Sequence, residues 1–300
     1  MHTTHNHAPM TPQEYCEAKT AQSGSSFYYS FLSLPNDKRR AIIALYAFCR
    51  EVDDVVDADS DLPIKHLKLA WWRDEIKRLF AQQAQHPITL ALTPVIAAYN
   101  LPLEYFLEIL DGMEMDTYKS EYSSYKELSL YCYRVASVVG LMSAEIFGYQ
   151  DRNTLKYAHE LGMAFQLTNI IRDVHEDAGN GRIYLPADEL QQFGVNTQDI
   201  RQGKQTAAFT ALIKKQADRA LAHYQNAFAC LPETDRYAQR AGIIMAGMYQ
   251  CILREIIKDN YRVLHHRISL PPLRKLWILW SIKLREKLRH WRLKYLQPHG

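Results

Sequence analysis

The sequence predicts an all-α chain folded as a single domain. Only 12 glycines and 12 prolines occur in 300 residues, so long stretches carry no breaker. Across those stretches apolar residues recur at intervals of three and four, the helical period rather than the alternation of a strand. Hydrophobic residues make up 47% of the chain, enough for a substantial core. No low-complexity linker or internal repeat divides it.

The elements follow in order. Thr11-Pro12-Gln13-Glu14 reads as a helix start, threonine as cap and proline in the first turn, for a helix over 11–22. Ser23-Gly24-Ser25-Ser26 then breaks it. Its hydroxyls and backbone N–H groups suit a phosphate, although such a string also serves as a plain turn. Phe27, Tyr28, Tyr29 and Phe31 form an aromatic cluster that fits a core or a cavity wall. Helices are expected over 37–57, 62–80, 87–99 and 103–116, with Pro87 and Pro102 starting the last two. The 103–116 helix ends in the acidic run Asp111-Gly112-Met113-Glu114-Met115-Asp116, placed near the site. Residues 125–148 read as one long apolar helix, in which Ala136, Ser137 and Gly140 permit close packing or leave room for a ligand chain. A helix over 152–177 comes next, then a Gly179-Asn180-Gly181 flap from which Arg182 can close on a phosphate. No strand and no G-x-G-x-x-G accompany those glycines, which excludes a dinucleotide fingerprint. Two more helices, 206–231 and 233–262, complete the body.

Chemistry concentrates in two acidic stretches, Arg50-Glu51-Val52-Asp53-Asp54-Val55-Val56-Asp57 and Asn169-Ile170-Ile171-Arg172-Asp173-Val174-His175-Glu176-Asp177. On a helix, Asp53 and Asp57 lie one turn apart on one face while Asp54 turns aside. Asn169, Asp173 and Asp177 make a second ladder, and Arg50 and Arg172 precede the aspartates. Like charges at that spacing repel, so a helix keeps them for a reason. Hard oxygen ligands in this number suit Mg²⁺, or Mn²⁺ in its place, bound together with a substrate diphosphate. A solvated acidic helix face is the bland alternative. Two ladders set in apolar sequence, each with an arginine, weigh against it.

Composition limits the rest. Five widely spaced cysteines without a C-x-x-C read as free thiols in a reducing compartment. The start, Met1 to His7, has no apolar run, so no secretory signal is expected, and residues 1–10 read as a disordered terminus. The net charge of +3 conceals an asymmetry: from Arg267 onward nine basic residues face Glu286 alone, leaving a body of about −5. In that tail Trp277, Trp280, Leu284, Leu288, Trp291 and Tyr295 recur at helical spacing among lysines and arginines. Residues 267–300 are therefore expected to form a basic amphipathic helix lying on an anionic membrane surface, too charged to span it. Tryptophans have no role in phosphate-backbone binding, so nucleic acid is not an expected partner. The expected location is cytoplasmic, at the inner face of the membrane.

Ser25-Ser26-Phe27, the run from Tyr46 to Asp57, Tyr131-Cys132-Tyr133-Arg134-Val135-Ala136, the run from Gln166 to Asp173 and Arg182-Ile183-Tyr184-Leu185-Pro186 together resemble the squalene/phytoene synthase family. The resemblance spans roughly residues 15–265, and within the family it leans toward the bacterial presqualene diphosphate synthases of hopanoid pathways. It implies a single catalytic domain over 11–266 with the isoprenoid-synthase helical bundle around a central apolar cavity. It also implies Mg²⁺-dependent head-to-head (1′-1) joining of two farnesyl diphosphates, with no NADPH needed for the first half-reaction and hand-over to squalene-forming enzymes. By position, Asp53, Asp57, Asn169, Asp173 and Asp177 would hold metal. Arg50, Arg172, Tyr46, Tyr131, Gln166, Arg182, Tyr249 and the turn Ser23, Gly24, Ser25 and Ser26 would contact substrate, and Phe27 and Phe31 would line the cavity. The family's occasional histidine at the start of the turn is Ser23 here. Competing readings are an NADPH-dependent squalene synthase, a phytoene synthase, a terpene cyclase and a membrane-bound assembly protein without catalysis.

Overall fold

A computed structural model describes residues 10–22 and 26–296. Among them helix dominates, and the sole extended pairing is an isolated parallel bridge between Glu121 and Ile183. The helices are α1 (Pro12–Gln22), α2 (Ser26–Phe31), α3 (Asn36–Asp57), α4 (Leu62–Phe80), α5 (Pro87–Tyr99), α6 (Leu103–Tyr118), α7 (Tyr125–Cys132), α8 (Val138–Phe147) and α9 (Asn153–Gly179). They continue with α10 (Ala187–Phe193), α11 (Thr197–Arg201), α12 (Ala207–Cys230), α13 (Arg240–Lys258) and α14 (Pro272–Leu296). Local chemistry explains several boundaries. At the start of α1, the Thr11 amide donates to Glu14 Oε2 at 2.8 Å while the Glu14 amide donates back to Thr11 Oγ1 at 3.3 Å, a reciprocal capping box. Thr206 caps α12 by accepting from the Phe209 amide.

Two expected helices differ from their forecasts. The 125–148 helix is present, but between α7 and α8 it passes through a π-helical segment, Tyr133–Ser137. The stretch 233–262 is helical only from Arg240 to Lys258. Turns occupy the residues before it because Asp235 is recruited elsewhere. Its buried carboxylate accepts from the amides of Gln150 at 2.8 Å and Asp151 at 3.0 Å and from the Thr154 hydroxyl at 2.7 Å, fastening the entry to α9. The short helices α2, α10 and α11 were not anticipated by the periodicity, which needs more turns than they possess. In the tail, helix begins at Pro272 rather than 267.

The bundle holds two hydrophobic clusters. One is built on α7, α9, α12 and α13, the other on α1, α3, α4, α5, α6 and α8. The first acidic ladder belongs to α3 and the second to α9, so they come from opposite clusters. Phe27 and Val135 pack against both. Phe27, Tyr46, Val135, Val139, Phe165 and Gln166 are only half-buried although their helices run through the interior, which places an apolar cleft along the seam. The run Tyr125–Phe147 is long and apolar enough to cross a membrane, yet 44% of its 18-residue apolar window is buried in the bundle. It serves as a core helix.

Backbone contact fixes the seam. A Cβ on Gly162 would come within 2.6 Å of Ser137 Cα, and one on Gly140 within 2.6 Å of Ala158 O. Only glycine lets α9 lie this close to the π segment and α8. The five cysteines are free thiols, as their spacing suggested.

Candidate active site

Both ladders sit where α3 and α9 face the cleft. On α3, Arg50 Nη1 meets Asp53 Oδ2 at 2.8 Å and Arg50 Nη2 meets Asp54 Oδ1 at 2.7 Å. Asp54 does turn aside, toward Lys19 Nζ at 2.8 Å. Asp57 is met from across the cleft by Arg182 Nη1 at 3.0 Å, and Arg182 also donates to the Val56 carbonyl. The flap after α9 thus ties its arginine to the first ladder. It is held there by the Arg182 amide, which donates to the Asp177 carbonyl.

The second ladder carries its own cations. Arg172 Nε lies 2.8 Å from Asp173 Oδ1, and Arg267, from the segment ahead of α14, reaches the same oxygen at 2.7 Å. Burial pushes the Asp173 carboxyl up, but these guanidiniums outweigh it and hold the group below the usual carboxylate range. Asp53 and Asp177 behave oppositely. Desolvation and the neighbouring carboxylates Asp57 and Asp173, respectively, push each of them up to about 7.

Two bridges join the ladders. Below, Asp116 at the end of α6 is buried, accepts the Tyr131 hydroxyl at 2.7 Å and the Tyr184 hydroxyl at 2.9 Å, and lies near enough to bias Asp53 and Asp177. Burial pushes Asp116 up to about 6 against the pull of the Tyr131 hydrogen bond. Tyr122, Tyr131 and Tyr184 stack beside it, with ring centroids 5.2 to 5.8 Å apart. Above, the buried Tyr249 lies beside Arg172 and Tyr46, and Tyr46 lies near Arg50. Phe27, Phe31, Tyr46, Phe165 and Tyr249 form the aromatic inner wall, with centroid separations of 4.9 to 6.4 Å.

The arrangement fits a divalent cation with diphosphate. Among the described residues no group of three or more acidic, histidine or cysteine side chains is placed to hold a metal ion by itself. What is present is a donor set short of positive charge. Asn169 Oδ1 is buried without a hydrogen-bond partner, its amide nitrogen reaching only toward Gln166 Oε1 at 3.5 Å. Burial pushes the Asp53 and Asp177 carboxyls up to about 7 against the pull of Arg50 and Arg182, respectively. Open ladders of this kind suit Mg²⁺ that takes part of its coordination from a substrate phosphate.

The structure therefore brings together Arg50, Asp53, Asp57, Asn169, Arg172, Asp173, Asp177, Arg182, Tyr46, Gln166, Tyr249, Phe27 and Phe31. Tyr131 lies one layer behind, acting through Asp116. Ser23, Gly24 and Ser25 lie outside the described residues, as does the side chain of Ser26. Of the acidic run on α6, Asp111 and Glu114 turn away to Arg73 and only Asp116 faces the site. Arg267 and Tyr184 were missed as site residues. Arg267 had been counted merely as charge, and it sits outside any periodic element, where no pattern could aim it. A surface groove of about 670 Å³ beside Tyr125, Leu130, His159 and His223 is separate from this chemistry.

An all-α bundle with two arginine-backed acid ladders facing an aromatic cleft defines the class of helical, enzyme-like folds to which its solved relatives belong. The profile of the squalene/phytoene synthase family matches residues 20–274, and the chain belongs to that family, whose members are prenyltransferases. It is 35% identical over 278 residues to the 15-cis-phytoene synthase of Synechocystis sp. (strain ATCC 27184 / PCC 6803 / Kazusa), covering 89% of this chain and 82% of the relative. It is 36% identical over 258 residues to the presqualene diphosphate synthase of Rhodopseudomonas palustris (strain ATCC BAA-98 / CGA009), covering 85% and 92%. A crystal structure of a dehydrosqualene synthase with a ligand superposes with a TM-score of 0.80 at 29% identity, over 92% of this chain and 97% of that one.

Proposed function

We propose that the chain condenses two farnesyl diphosphates head to head into presqualene diphosphate, releasing one diphosphate. The observation that carries this reading is the convergence of two arginine-backed acid ladders, from α3 and α9, on one aromatic cleft. Arg50, Arg172 and Arg182 are placed to take up charge on the donor diphosphate as its C1–O bond breaks. Mg²⁺ held by Asp53, Asp57, Asn169, Asp173 and Asp177 would supply further neutralisation of that leaving group. The faces of Phe27, Tyr46 and Phe165 stabilise the allylic cation and exclude water from it. The 2,3-double bond of the second farnesyl chain then attacks C1, and loss of a proton closes the cyclopropane. The proton leaves on the released diphosphate or on a tyrosine.

The 36% identity to the presqualene diphosphate synthase of Rhodopseudomonas palustris supports the C15 reading. A second reading, phytoene synthesis from C20 diphosphates, is favoured by the equal identity of the Synechocystis relative. Farnesyl and geranylgeranyl diphosphates supplied together with Mg²⁺, with and without NADPH, distinguish them by mass spectrometry. Presqualene diphosphate under both conditions is the expected product. Squalene appearing only with NADPH would make this a complete squalene synthase, and a C40 product would replace the reading with phytoene synthesis.

A further inference from the structure

We infer that the outward face of α14 is a docking surface for an anionic lipid bilayer, which it meets lying flat. The inference does not depend on which prenyl diphosphate the site accepts. At 3.6 residues per turn, α14 divides into four strips. Its inner strip is committed to the body. Leu279 and Glu286 are buried, and Ile278 and Ile282 press against α13 at Gly247, where a Cβ would come within 2.5 Å of Ile282 Cδ1. Arg236 Nη2 pairs with Glu286 Oε1 at 2.8 Å and locks the helix rotationally. With its inner face satisfied, α14 cannot roll to hide the other one.

That other face is apolar and exposed. Leu273, Trp277, Trp280, Leu284, Leu288, Trp291 and Tyr295 fall on one strip, with Trp277, Trp280 and Trp291 exposed at 73, 62 and 53%. Isolated apolar residues on a surface mean little, whereas a continuous aromatic strip along a 25-residue helix marks an interaction site. Basic rows border it: Arg274, Arg285 and Arg292 on one edge, Lys283, Lys287 and Lys294 on the other. Arg285, Lys287 and Arg292 form no ion pair among the described residues, while Lys283 and Lys294 lie over the rings of Trp280 and Tyr295.

An apolar strip between two cationic rows matches the interface of an anionic bilayer, where tryptophan enters the headgroup level and lysine and arginine reach phosphates. A second copy of the chain matches it poorly, since a two-fold pairing would set like-charged rows side by side. The position of α14 gives the contact a purpose. It packs on α13 and α2, with Lys275 Nζ 5.6 Å from the Tyr29 ring centroid. Those same two helices carry Tyr249 and Phe27 into the cleft, so a membrane on the strip lies behind the wall of the prenyl site.

The experiment is flotation of the full chain with vesicles of phosphatidylcholine alone or with about 30% phosphatidylglycerol. Wild type should float with the anionic vesicles at least about ten-fold more efficiently, with blue-shifted tryptophan emission. Substituting Trp277→Ser, Trp280→Ser and Trp291→Ser together should reduce flotation about ten-fold or more while turnover in lipid-free buffer stays within about two-fold. Reversing Arg285→Glu, Lys287→Glu and Arg292→Glu should abolish the preference for anionic vesicles. Wild type that stays in solution, or a tryptophan variant that floats as well as wild type, overturns the inference. So does light scattering that shows a dimer which the tryptophan variant converts to monomer without any vesicle binding.

Discussion

The two acid ladders use the same side chains and meet opposite fates. On α9, Asp173 is 15% exposed and flanked by Arg172 and Arg267, so it is ionised well into the acid range. On α3, Asp53 is 38% exposed and contacts Arg50 alone, which Asp54 shares. It is pushed up to about 7. The difference teaches that Asp173 is held by two guanidiniums, whereas Asp53 has only a shared one and keeps a deficit of positive charge. A cation arriving with substrate has more to gain at the second kind. Asp177, at the foot of α9, joins α3 in this respect.

The comparison can be broken by substitution. The largest effect is expected for Asp53→Asn and Asp173→Asn, each lowering turnover by at least about 100-fold with the helical circular-dichroism spectrum retained. Wild-type rates at saturating Mg²⁺ in either variant would remove its ladder from the metal site. Arg267→Gln should raise KM for the prenyl diphosphate about ten-fold, because a guanidinium is lost from the α9 side only. An unchanged KM would assign Arg267 to structure.

Proton linkage sharpens the contrast further. Between roughly pH 4, where unfolded aspartates titrate, and about 7, the folded metal-free chain binds more protons at Asp53 and Asp177 than the unfolded chain does. Their contribution to stability therefore falls as pH rises through that window. Mg²⁺ with inorganic diphosphate should raise Tm by a few degrees more at pH 8 than at pH 6, since binding needs the carboxylates deprotonated. Calorimetry at both values checks this, and an equal shift would contradict the charge deficit. Smallest should be Asp54→Asn, within about three-fold of wild-type turnover, because its carboxylate points away to Lys19.

Much of this was legible in the sequence because helices were long and strongly periodic. The boundaries of α4 and α5 agree with the spacing of their apolar residues and with the prolines in their first turns. The ladders were legible for the same reason, since a four-residue interval already places Asp53 with Asp57 and Asn169 with Asp173 and Asp177. What periodicity could not supply was contact between distant segments. Arg267 reaches Asp173 across 94 positions, and Tyr184 reaches Asp116 across 68. Asp235 looked like part of a helix start and instead holds the entry to α9. The strip on α14 was visible as a pattern, but only its contact with Gly247 shows which side faces out.

The glycines at the seam have a consequence for how this scaffold can diversify. Where Gly162 meets Ser137 and Gly140 meets Ala158, backbone touches backbone and no side chain remains to be trimmed. The separation of α9 from the π segment and α8, and with it the width of the proposed diphosphate grip, is thereby fixed like the jaw of a spanner that has no adjusting screw. A descendant adapted to a longer or shorter prenyl tail has to be carved at the aromatic end, around Phe27, Phe31 and Phe165, while the grip is inherited unaltered.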